Sequence, residues 1–159
     1  MNSERGMVLL LSLLMVVVMS ALAFGAAQKN RLASLRVRSV MDIGIARMAA
    51  QRALTSELAR LNTLSAASFT VQGNTGLYRV DEATVPPLWS RNSTWQAGRC
   101  RQAPRALAHS AAPACTIIEL LRYRQAPEYL AFRITARGVG MRAETAILMQ
   151  AYSVLESSG

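Results

Sequence analysis

The sequence predicts an α+β protein: a long N-terminal helix packed on a small antiparallel β-sheet. Three observations carry that prediction. No residue from Met7 to Ala27 is charged. From Gln28 to Leu64 there is no proline and only one glycine, Gly44, with apolar residues at helical spacing. After Ser65 the pattern turns to short alternating runs separated by glycine and proline, the signature of strands and turns.

The uncharged stretch is 21 residues long. At about 1.5 Å per residue such a helix spans roughly 30 Å, one hydrocarbon core. The leader before it, Met1-Asn2-Ser3-Glu4-Arg5-Gly6, is short and carries one acid, Glu4, and one base, Arg5. An ordinary secretory signal has a positive n-region and an apolar core of about 7–15 residues, so a membrane helix is the expected reading. Small-residue sites at 21–23 and 25–27 leave a cut after the run as the competing one.

Past Ala27, two apolar stripes follow helical periodicity. Val37, Met41, Ile45 and Met48 form one, and Ala50, Leu54, Leu58 and Leu61 the other. The expected element is one continuous helix over 7–64, roughly 85 Å long, with 7–27 membrane-spanning. A helix of that length cannot bury itself on a small domain, so much of it must meet lipid or other chains. Gly44 is the one candidate break.

Residues 65–159 make the globular β domain. Ser68–Val71 and Leu77–Val80 read as short strands around a Gly73–Gly76 turn, and Pro86-Pro87 interrupts any regular element. Trp89 and Trp95 read as lids of a core or as exposed contacts. Thr116–Tyr123 is strand-like. The clearest strand is Tyr129–Arg137, with Phe132, Ile134 and Ala136 on one face and Arg133, Thr135 and Arg137 on the other. Gly138-Val139-Gly140 reads as a turn into a partner strand over 143–154.

The chain has two cysteines, Cys100 and Cys115, hence one possible pairing. Outside the cytoplasm a disulfide is expected. It closes a loop of about 15 residues and contributes on the order of 3 kcal/mol in the chain-entropy model.

Eighteen basic and nine acidic residues give a net charge of +9, and a pI near 11.0 permits contact with anionic lipid or nucleic acid. His109 is the only histidine, and it lies in a predicted loop. A Ser-His-Asp or Cys-His site would have to use it. There is no P-loop lysine, and too few His and Cys for a zinc site. A non-enzymatic protein without cofactor or metal is expected.

The leader ending Arg5-Gly6, joined at once to an apolar helix that becomes amphipathic, resembles a type IV prepilin. Residues 6–13 (GMVLLLSL), 132–140 (FRITARGVG) and 146–152 (AILMQAY) resemble the two ends of PilX-type minor pilins; the middle, about 65–124, hardly does. The resemblance implies a pilin-like fold and a cut between Gly6 and Met7 by a prepilin peptidase, with N-methylation of Met7. It also implies an inner-membrane precursor with a periplasmic C-terminal domain that later joins the pilus. Major pilins carry glutamate at the fifth mature position, where this chain has Leu11. PilX-type subunits share that lack, which points to a tip complex of minor pilins that primes pilus assembly. Implied partners are other minor pilins, the major pilin, the peptidase, inner-membrane lipid and a pilus-tip adhesin, with adhesion and twitching motility as the dependent activities. Lys29, Arg31, Arg36 and Arg38 follow the apolar run, against the positive-inside rule; a short basic flank can instead contact lipid headgroups. The alternative is a tip-associated DNA-binding or adhesion subunit using Arg99, Arg101, Arg105, Arg122 and Arg124.

Overall fold

The computed structural model describes residues 2–80, 86–121 and 129–156. The chain divides into two compact units, Met1–Val40 and Met41–Gly159. Helix α1, Asn2–Arg60, runs through the boundary without interruption, so Gly44 is no break. It begins inside the leader and ends four residues before the expected Leu64, where Leu61–Thr63 tightens into a 3₁₀ turn, a common form of helix end.

In the first unit every described residue from Leu10 to Val40 is exposed. An 18-residue window there has a mean hydropathy of 2.4, and the helix is long and apolar enough to cross a membrane. Ser20 is accommodated by donating its hydroxyl to the Val16 carbonyl, 2.7 Å away, which satisfies a polar group without leaving the helix.

The second unit packs the end of α1 on a five-stranded sheet: β1 (Leu77–Val80), β2 (Arg101–Gln102), β3 (Cys115–Leu121), β4 (Tyr129–Val139) and β5 (Ala146–Glu156). The order is β1-β3-β4-β5, with β2 beside β1 on the same edge of β3. All pairs are antiparallel except β1 with β3, so the sheet is mostly rather than wholly antiparallel. Ser68–Val71 is no strand: Ala66–Ser68 is a 3₁₀ turn, and only Thr70 bridges to Tyr78. β3 begins one residue earlier than expected, and the expected strand end at 122–123 lies outside the described residues.

The alternation read in β4 is the core pattern. Phe132, Ile134 and Ala136 are buried with Ile118 and Leu120 against Ala49, Ala50, Ala53 and Leu54 of α1. Phe69 caps this core, its ring 5.6 Å from that of Phe132. Of the second helix stripe, Ala50, Leu54 and Leu61 are buried in the core and Leu58 is exposed, whereas of the first Val37, Met41 and Met48 are exposed and only Ile45 is buried. The other sheet face is covered by a second cluster of Tyr78, Cys100, Cys115 and Ile117, under partly buried Leu88, Trp89 and Trp95. The two tryptophans are therefore lids, and the Trp95 indole N–H donates to the Trp89 carbonyl at 3.0 Å.

The turn expected at Gly138-Val139-Gly140 is displaced. β4 continues through Val139, pairing with Ala146, and the reversal runs over 140–145, closed by the Gly140 amide on the Thr145 carbonyl at 2.8 Å. The glycine at 138 has another reason. A Cβ there would strike the carbonyl oxygen of Ala46 and the amide of Ala50, so helix and strand backbones touch directly. Gly138 and the alanines at 46, 49 and 50 form one close-approach seam.

Candidate functional site

Cys100 and Cys115 form the expected disulfide, with Cα atoms 5.8 Å apart. It lies in the second cluster and ties the start of β2 to the start of β3. Between them, residues 103–114 form a loop held at both ends. The Ala103 amide donates to the Ala114 carbonyl at 2.8 Å, and the Ala111 amide to the Gly140 carbonyl at 2.7 Å. The Ser110 hydroxyl sits 2.7 Å from the Val139 carbonyl. His109 is in this loop, exposed and in left-handed backbone (φ 67°), a conformation His adopts more readily than most residues. Among the described residues no group of three or more His, Cys, Asp or Glu could hold a metal ion.

Three buried carboxylates organise the second unit, and the sequence pattern marks none of them. Asp42, on α1, is 1% exposed. It accepts from the backbone amides of Met141 (2.6 Å) and Arg142 (3.3 Å), the Arg142 guanidinium (2.8 Å) and the Thr145 hydroxyl (2.6 Å). It thus pins the helix to the β4–β5 turn. Glu57, near the helix end, pairs with Arg60 at 2.7 Å and with Arg101 of β2 at 3.1 Å. Glu119 of β3 is fully buried and takes two 2.7 Å hydrogen bonds from the Arg133 guanidinium of β4. Those bonds hold Arg133 charged above its ordinary range, against the opposing effect of burial.

The hydrogen bonds from Thr145 and then Arg142 lower the Asp42 pKa from 3.8 to about 2. A carboxylate depressed by folding adds stability that is present above its unfolded pKa and lost as pH falls toward the folded value. Stability is therefore expected to drop between about pH 4 and pH 2. Asp42→Asn should lower the melting temperature by roughly 5 °C or more at neutral pH and flatten that part of the acid limb. Thermal melts followed by circular dichroism across pH 2–7 check both effects.

Of the five arginines read as a basic surface, the three among the described residues line two different cavities. Arg101 and Arg105 line a groove of about 330 Å³ between α1 and the disulfide loop, together with Arg52. Arg99 lines a separate cavity with Arg91 and Tyr78. Arg122 and Arg124 lie outside the described residues, as does the Asp81-Glu82 pair. Arg101 is already engaged by Glu57.

At the N-terminus, the backbone of Gly6 and Met7 is helical, inside α1. Met7 and Leu11 are 66% and 65% exposed. The surface from Leu10 onward offers apolar side chains on every side, among them Leu14, Val18, Leu22 and Phe24, as a helix does when its surroundings are apolar. No protein-family model, curated protein or solved structure matches this chain.

Proposed function

We propose that this chain is the precursor of a PilX-type minor pilin, which helps to prime type IV pilus assembly as part of a tip complex of minor pilins. The observation that carries the reading is the short leader ending Arg5-Gly6, run directly into an apolar helix. Support comes from the unbroken helix Asn2–Arg60, the α+β domain on its second half and the disulfide.

Its mechanism is assembly by packing. Before assembly the apolar segment is held by lipid of the inner membrane, and the disulfide-bonded domain lies in the periplasm. On assembly the helix exchanges lipid contacts for side-chain packing against neighbouring helices. The exposed stripe of Val37, Met41 and Met48 supplies further contact area where the amphipathic half meets other subunits. At Leu11 the subunit has no carboxylate to pair, and a buried unpaired carboxylate would be costly. A position with no neighbouring N-terminal amine to satisfy therefore suits it.

The test is the N-terminal mass of the membrane-extracted protein from cells with and without the prepilin peptidase. A chain starting at Met7 with one added methyl group, only when the enzyme is present, is expected. A start at Phe24 or Gln28 would mean a secreted domain. An intact leader in both strains would mean a simple anchor, and either result ends the pilin reading.

A further inference from the structure

We propose that the groove between α1 and the disulfide loop is a docking site for an acidic, extended segment of a partner polypeptide. The inference is independent of the pilin reading.

The groove has two walls. Arg52 and Ser56 of α1 stand on one, and Arg101 and Arg105 on the other. Its one lining carboxylate, Glu57, is already shared between Arg60 and Arg101. The ion pairs among the described residues leave Arg52 and Arg105 unmatched, and both are exposed. Among the described residues, two guanidiniums without an ion-pair partner thus flank a site whose one carboxylate is already paired. The complementary occupant carries carboxylates, which guanidinium binds in a planar two-point fashion.

The floor decides between kinds of anion. It is formed by small apolar side chains, Ala49, Ala53 and Ala114, with Leu107 at the loop side. A chain alternating acidic and apolar side chains can pair with the arginines and cover that floor at the same time. A nucleic-acid strand would want aromatic platforms for its bases, and among the described residues no aromatic side chain lines the groove. The loop wall is held in place by the Cys100–Cys115 disulfide and the Ala103–Ala114 and Ala111–Gly140 hydrogen bonds, so little ordering is required on binding.

The experiment uses the full chain in lipid nanodiscs. The probe is a fluorescent ten-residue peptide alternating glutamate and valine, compared with a glycine-serine peptide and with a single-stranded oligonucleotide of equal charge. Affinity is read by fluorescence anisotropy. Arg52→Gln with Arg105→Gln should weaken the acidic peptide about tenfold, and binding should fall with added salt. Arg47→Gln, an exposed arginine of the same helix outside the groove, should leave it unchanged. Thermal melts confirm that each variant is folded. Equal loss in the Arg47 variant, or no loss in the double variant, would reduce the effect to overall charge and overturn the proposal. Tighter binding of the oligonucleotide with the same arginine dependence would assign the groove to nucleic acid instead. Occlusion by a second copy, seen as a two-chain particle that excludes peptide, would also overturn it.

Discussion

Gly138→Val is expected to unfold the globular unit or to cost it about 3 kcal/mol or more. The reason is geometric. The position of the missing Cβ is occupied by the Ala46 carbonyl oxygen and the Ala50 amide of the helix. Backbone atoms inside a helix cannot rotate aside as a side chain can. The helix would have to lift off the sheet, opening gaps beside Ala46, Ala50 and Ala136, which are fully buried, and dry gaps forfeit dispersion contacts. Even Gly138→Ala should be strongly destabilising. Gly44→Ala supplies the contrast: beyond the adjoining helix backbone nothing lies within 4 Å of its added Cβ, so it should stabilise the helix by about 0.5–1 kcal/mol. Urea titrations of the three variants in one detergent check the ranking. A neutral Gly138→Ala would show that helix and strand do not touch as described.

Arg133→Met is expected to cost about 3–5 kcal/mol, because it leaves the fully buried Glu119 carboxylate without its countercharge. The loss is not a measure of how much the pair stabilises the fold. Burying both charges already carries a large desolvation cost, so the double change Arg133→Met with Glu119→Leu should recover most of the loss. A double-mutant cycle from denaturant midpoints separates the two quantities. If the single and double variants lose the same stability, the ion pair is not what Arg133 contributes. Arg133 also lies beside the exposed ring of Tyr152 on β5.

The sequence made visible those features whose cause is local. Phe132, Ile134 and Ala136 could be picked out because a strand alternates with period two, and the helix as far as Arg60 because its apolar residues recur every three or four. The disulfide followed from counting. What stayed hidden depends on residues far apart in the chain. Asp42, Glu57 and Glu119 are polar letters that pattern reading assigns to the surface, and each is buried only because a distant arginine or amide meets it. Gly138 was misread as a turn for a related reason. Glycine serves both a reversal and a close approach of two backbones, and only the position of Ala46 tells them apart. The parallel pairing of β1 with β3 likewise has no local signature. The basic groove was half legible: Arg101 and Arg105 stood out as charges, but Arg52 joins them only through the packing of α1.

The carboxylate that fastens α1 to the β4–β5 turn also sets a clock. Asp42 finds its partners 99 to 103 residues downstream. At a synthesis rate of about 5–20 residues per second, the helix waits roughly 5–20 s before those partners exist. For most of that interval Ala46, Ala50 and Leu54 are uncovered, because the strand that seals them, β4 (Tyr129–Val139), is itself made late. A stalled or shortened chain that ends before Tyr129 lacks β4 and would present its helix with that apolar surface uncovered, which is the kind of nascent chain that chaperones and proteases remove.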